Sequence, residues 1–198
     1  MGIVRSEGSF YQGAEFENDA DVFLETCGLK LHGEHVFGGC SFDQLATTST
    51  GREILFEHKG SFRGNRPGMM RTDTVKKALL SGFINKELKK KRPYHIVTSH
   101  IANYPYGAYG DLPRSLKMIE AAYEAKAVNA IWVIGDVSHQ SSLYEFTKWH
   151  FKYFLRTGKY KGGFWNYVEL VGGVEHEGND DWADIKRRWF LDEHGPMK

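Results

Sequence analysis

The chain has 198 residues, enough to bury one respectable core but cramped for two domains. Its 26 basic and 25 acidic residues leave a net charge of +1, so the total demands no polyanionic partner, and a nucleic-acid surface has to come from local segregation of charge. Two cysteines are too few for a disulfide framework, no signal peptide is evident around Glu7, and no window reaches ~18 uninterrupted apolar residues, so a cytoplasmic protein without a membrane partner is expected.

Taken in chain order, Phe16, Ala20, Phe23, Leu24 and Cys27 form an amphipathic stripe that predicts a helix over Glu15 to Cys27, stopped at Gly28. Two stretches rich in β-formers follow, Val36 to Thr48 and Glu53 to Lys59, with a polar turn and Gly51 between them, and they read as a hairpin. A Gly/Pro/Arg-rich segment, Gly60 to Gly68, is expected to be an exposed loop. Thr72 or Asp73 can cap a second helix with Val75, Leu79 and Phe83 on one face, running into the charged stretch Lys86 to Arg92 before Pro93. Tyr94 to Ser99 reads as a strand. After a Tyr/Gly/Pro-rich loop, Asn103 to Pro113, a third helix carries Leu112, Leu116, Ile119 and Tyr123, and Ala130 to Gly135 is a continuous apolar strand. A strand, helix, strand unit predicts parallel neighbours. Beyond it, Ser142 to Arg156 reads as helical, Phe164 to Val171 as extended and Asp181 to Leu191 as helical.

The hairpin carries the chemistry. If its turn centres near Thr50, Asp43 lies opposite Glu57, and period-2 alternation puts Lys59 on the face of Glu57 while His58 points the other way. Like charges directly across a strand pair are destabilising by roughly 0.2–1 kcal/mol, so two facing carboxylates beside one lysine call for a cation or a task. A divalent metal supplies both.

This order of elements, with an acid in the first helix and Asp followed by Glu-X-Lys on a hairpin, resembles the restriction-endonuclease-like PD-(D/E)XK nuclease superfamily. Gly13-Ala-Glu-Phe-Glu17, with Leu24 and Gly28 after it, is similar to the first helix of Mrr-type members. The resemblance runs from about Gly13 to Gly135, and it departs from the nominal pattern at Phe42, where a proline would precede Asp43. It implies an α/β fold in one nuclease domain: a mixed central β-sheet flanked by helices over about 13–136, and a small C-terminal α+β extension over about 137–198 for DNA recognition or dimerisation.

Phosphodiester hydrolysis needs an in-line water and neutralisation of charge on the phosphoryl oxygens, and a hard cation serves both. Mg²⁺, with Mn²⁺ as a substitute, is the expected cofactor, held by Asp43, Glu57 and the peptide carbonyl of His58; Glu17 is the candidate for a second metal or a metal-bound water, with Glu15 its competitor on another face. Lys59 orients or helps deprotonate the attacking water. The expected catalytic set is therefore Asp43, Glu57, Lys59 and Glu17, and Arg63, Arg66 and Arg71 are the candidate nucleic-acid contacts. The implied activity is a metal-dependent endonuclease on double-stranded DNA. A type II restriction enzyme acting as a homodimer comes first, because one active site per chain must cut two strands. The alternatives are a junction-resolving, repair or mobile-element nuclease, or a catalytically silent nucleic-acid-binding protein.

Competing readings exist for each group. A solvated strand face with a cross-strand ion pair accounts for Asp43, Glu57 and Lys59, and an ordinary surface acid for Glu17. Lys148, Lys152, Arg156, Lys159 and Lys161, interleaved with Trp149, Tyr153, Tyr160 and Trp165, form either a nucleic-acid surface or a solvated face over core aromatics. Cys27, His32, His35 and Cys40 have zinc-type donors, but at spacings x4, x2, x4 rather than in paired knuckles, and Cys27 belongs to the helical stripe. His95 and His100 are read as structural.

Overall fold

A computed structural model describes residues 7–61, 68–88, 92–102, 112–134 and 142–172, with side chains from residue 13 onward except at 142. The elements are α1 (Glu7–Thr26), β1 (Lys30–Leu31), β2 (His35–Phe37), β3 (Cys40–Phe42), β4 (Gln44–Thr47), β5 (Glu53–Lys59), α2 (Thr72–Glu87), β6 (Tyr94–Thr98), α3 (Arg114–Glu124), β7 (Ala130–Val133), α4 (Ser142–Thr157) and α5 (Phe164–Val171). Five strands form one mixed sheet in the order β1-β4-β5-β6-β7, antiparallel across β1, β4 and β5 and parallel across β5, β6 and β7. It is the α/β architecture expected, a mixed sheet with helices on both faces.

The helical stripe of α1 is buried as its periodicity requires: Phe16, Ala20, Phe23, Leu24 and Cys27 all lie in the core. Gly28, at φ +89°, ends the helix in a conformation that costs a residue with a Cβ. The first hairpin arm is not one strand. Val36 and Phe37 belong to a separate two-stranded sheet, β2 with β3, and only residues 44–47 join the main sheet. The chain turns between the two sheets at Asp43. The tight return to β5 is closed by hydrogen bonds from the Thr48 N–H to the Arg52 carbonyl at 3.0 Å and from the Gly51 N–H to the Thr48 carbonyl at 2.9 Å.

Three expectations need correction or relocation. Phe83 is 41% exposed, and the buried face of α2 is Val75, Ala78, Leu79, Gly82 and Asn85; small residues there let the helix lie close against Tyr94. Neither Thr72 nor Asp73 caps α2, whose N-cap position is Arg71. Phe164 to Val171 is a helix, not an extended segment, with Phe164, Tyr167, Val168 and Val171 on its buried face at the spacing of an amphipathic helix. The segments 62–67, 89–91, 103–111 and Asp181 to Leu191 lie outside the described residues.

The last third of the described chain closes the sheet. Among the described residues β7 is an edge strand, and its outward polar groups are met by side-chain hydroxyls. Tyr160 Oη accepts from the Ile131 N–H at 2.7 Å and donates to the Ile131 carbonyl at 2.8 Å, Tyr167 Oη accepts from the Val133 N–H at 2.9 Å, and Thr147 Oγ1 donates to the Val133 carbonyl at 2.5 Å. Aromatics of α4 and the α5 region then pack over Trp132, so the edge is covered as well as satisfied. Tyr160 is fully committed here, which removes it from the candidate surface patch.

Candidate metal and catalytic site

The β4 to β5 pairing places Gln44 against Phe56 and Thr47 against Glu53, the register that sets Asp43 across from Glu57. Because Asp43 sits at the bend between two sheets, its side chain turns back onto the end of β5: Oδ2 accepts from the His58 N–H at 2.6 Å and from Lys59 Nζ at 3.2 Å. Lys59 Nζ also lies 2.7 Å from Glu57 Oε1 and donates to the His58 carbonyl at 3.0 Å. One ammonium group thus spans both carboxylates, which therefore converge on one small volume. The His58 carbonyl, expected as a third metal ligand, accepts from Lys59 with one of its two lone pairs.

Helix α1 enters the site because Gly60 lets it. A Cβ at Gly60 would run into the Phe16 ring, so the bare backbone after β5 is what allows Phe16 to seat against the strand end and bring Glu17 beside the site. Burial pushes the Glu17 carboxyl above its ordinary pKa, Asp43 raises it further and Lys59 draws it back. Glu15 and Glu17 are both exposed, and it is Glu17 whose carboxyl feels Asp43 and Lys59. Four residues past Glu17, on the same helical face, Asp21 is pushed up to about 6 by burial and then by Glu25, Glu17 and Asp43. Its Oδ1 is buried without a hydrogen bond among the described residues. Asp21 is a site acid that sequence reasoning missed, although its i, i+4 spacing from Glu17 was a usable signal.

The site is electrostatically frustrated. Glu57 is 6% exposed, and burial raises its pKa, with Lys59 opposing and Asp43 adding to the rise. Burial also works against the charge on Lys59, but the Glu57 and Asp43 carboxylates outweigh it and hold the ammonium above its usual value. The Tyr94 hydroxyl is close enough to Glu57 to oppose the rise as a hydrogen-bond partner, yet it donates to the Ala78 carbonyl at 2.6 Å, and Glu57 Oε2 is buried with no well-formed hydrogen bond among the described residues. A buried carboxylate oxygen lacking a partner costs about 1–3 kcal/mol, which a hard cation would recover. His58 lies on the other face, buried and pushed down to about 4 by desolvation, hence neutral.

The remaining candidates fare differently. Arg71 is exposed and bonded to Asp73 through Nε at 3.2 Å and Nη2 at 3.0 Å, while Arg63 and Arg66 lie outside the described residues. Among the described residues, no three or more His, Cys, Asp or Glu side chains gather into a metal cage. Cys27 is buried with its thiol pushed up to about 12 by desolvation, and His32 Nε2 is hydrogen-bonded to Thr47 Oγ1 at 2.9 Å. His95 is a core residue accepting from Trp132 Nε1 at 3.3 Å, and burial, with Arg52, takes it down to about 3. On α4, Trp149 stacks on Tyr153 and carries the Lys161 ammonium 4.9 Å from its ring centroid.

No family model matches the chain, and no curated protein matches it. A solved structure of Pyrococcus furiosus SfsA in complex with Ca²⁺ is similar to it at 20% identity and a TM-score of 0.36, over 64% of this chain and 57% of that one. The chain spans just over half the length of that protein, and a likeness at this level carries no argument about function. No helix among the described residues is long and apolar enough to cross a membrane.

Proposed function

We propose that the protein is a Mg²⁺-dependent endonuclease acting on double-stranded DNA, with Mn²⁺ as a substitute, in a cytoplasmic homodimer of the type II restriction class. The reading rests on one observation: Asp43 and Glu57, from the two arms of a hairpin, converge on the Lys59 ammonium at 3.2 and 2.7 Å. A solvated salt bridge explains this poorly. Surface pairs contribute about 0–1 kcal/mol, and nothing in such a pair requires a second carboxylate or a buried Glu57 oxygen with no well-formed hydrogen bond among the described residues.

The donor set suits a small hard cation: Asp43 and Glu57 would hold it directly, and Glu17 and Asp21 stand beside it for its waters. When bound, such a cation supplies charge neutralisation on the phosphoryl oxygens and an activated water. The chain's own residues do the positioning. The His58 N–H fixes the Asp43 carboxylate, the β5 ladder fixes Glu57, and Lys59, held charged, presents protons to a phosphoryl oxygen or to the attacking water.

Incubating plasmid with the protein, with Mg²⁺ or EDTA and alongside Lys59→Ala, tests the reading. Discrete fragments requiring both metal and Lys59 support the restriction assignment. Smearing would mark a nonspecific nuclease, and preference for branched DNA a resolvase. Binding without cleavage at any metal concentration would replace the enzyme with a silent nucleic-acid-binding protein.

A further inference from the structure

The parallel ladder between β5 and β6 ends at the pair Lys59 and Thr98. At that end the Thr98 hydroxyl, fully buried, donates to the Lys59 carbonyl at 2.6 Å. The same oxygen accepts from the Met69 N–H at 3.2 Å and lies 3.0 Å from the His100 carbonyl. One residue on, Ser99 Oγ donates to the Ser61 carbonyl at 2.9 Å and accepts from the Ser61 N–H at 3.0 Å. Two successive hydroxyls, at the last residue of β6 and the one after it, therefore hold the backbone just where Lys59 leaves the sheet.

Valine would serve a buried strand position as well as threonine by shape and β-propensity, and it would avoid burying a hydroxyl, which costs about 1–3 kcal/mol if unsatisfied. What threonine adds is a hydroxyl that accepts from the Met69 N–H at 3.2 Å, reaches the His100 carbonyl at 3.0 Å and makes its shortest contact, 2.6 Å, with the Lys59 carbonyl. The Lys59 ammonium has three acceptors, on Asp43, Glu57 and its neighbour's carbonyl, at 3.2, 2.7 and 3.0 Å, and meeting all three depends on where its own backbone stands. We infer that Thr98 is a positioning residue, whose hydroxyl fixes the end of β5 so that the Lys59 ammonium sits between the Asp43 and Glu57 carboxylates. Its consequence for cleavage rests on the nuclease reading; its consequence for Lys59 does not.

The test compares full-length wild type, Thr98→Val, Thr98→Ser and, as a stability control remote from the site, Tyr160→Phe. Two quantities are read: kcat and KM for Mg²⁺-dependent plasmid cleavage, and the Lys59 Nζ resonance in ¹⁵N NMR of lysine-labelled protein. Thr98→Val is expected to lower kcat about ten-fold with KM within about two-fold, and to shift or broaden the Lys59 signal. Thr98→Ser restores both, and Tyr160→Phe lowers only the unfolding midpoint. Wild-type kcat and an unmoved signal in Thr98→Val overturn the inference, as does failure of serine to restore, or the same change in Tyr160→Phe. If wild type cuts no DNA, the nuclease reading falls separately, and the Lys59 signal in the valine and serine variants alone decides. Should Thr98→Val not fold, Thr98→Ala removes the same hydroxyl and replaces it.

Discussion

Replacing Lys59 with methionine keeps the stem and removes the charge that separates Asp43 from Glu57. At the effective dielectric of about 20 that suits partly buried pairs, contacts of 2.7 and 3.2 Å represent roughly 5–6 kcal/mol of gross attraction each. Desolvation of the ions offsets most of that, and removing one partner of a buried pair leaves a net loss of about 2–4 kcal/mol. The loss must depend on pH. Without Lys59 the Glu57 carboxyl, already raised by burial, rises further above its ordinary value of 4.5, so the folded state takes up a proton that the unfolded state releases. The penalty is therefore smaller at pH 5 than at pH 8, because it grows as pH rises through the raised titration range of Glu57. Wild-type Lys59, its folded value raised above 10.5, contributes fully at both. Mg²⁺ at 10 mM should recover part of the pH 8 loss by binding the folded state alone. Urea unfolding at pH 5 and pH 8, with and without Mg²⁺, measures all three. A loss equal at both pH values and untouched by Mg²⁺ would refute the idea that the two acids form one charge-coupled site.

Asp21→Asn should stabilise the protein by about 1 kcal/mol at pH 7.5, discounted for solvent screening, because a carboxyl raised from 3.8 to about 6 costs folding stability as pH climbs through that window. The gain should vanish near pH 4, and urea midpoints at the two pH values show whether it does. Tyr160→Phe leaves the Ile131 N–H and carbonyl on the β7 edge without their hydroxyl, an expected loss of about 2–4 kcal/mol read by thermal unfolding, with plasmid cleavage at permissive temperature unchanged. Leu79→Ala should cost about 2–4 kcal/mol while Phe83→Ser stays within about 0.5, and equal costs in denaturant melts would return Phe83 to the buried face of α2.

Much of this was legible along the chain. The α1 stripe, the continuous apolar runs of β6 and β7, and the parallel crossover between them follow from periodicity and connection rules, because each depends on near neighbours. The Asp43 and Glu57 register was legible too, since a hairpin's turn fixes its pairing and Gly51 marks the turn. Local signals misled where burial is decided by a distant partner. Phe83 matches the helical spacing as well as Gly82 does, but only Tyr94, from a strand beyond the helix, makes the small residue the inner one. Phe164 to Val171 carries aromatics common to strands and helices alike, and their packing over Trp132 and Tyr160 selects the helix.

The sequence by itself determined which residues could carry charge chemistry and the two-residue spacing that puts Glu57 and Lys59 on one side of a strand. Tertiary structure decided which other groups share their field: Asp21 through the approach of α1 over Gly60, and Thr98 through the parallel neighbour at the end of β5. The reason is physical. Alternation and helical phase are properties of a few consecutive residues, whereas desolvation and Coulomb coupling depend on distance in space, which only the packed chain sets.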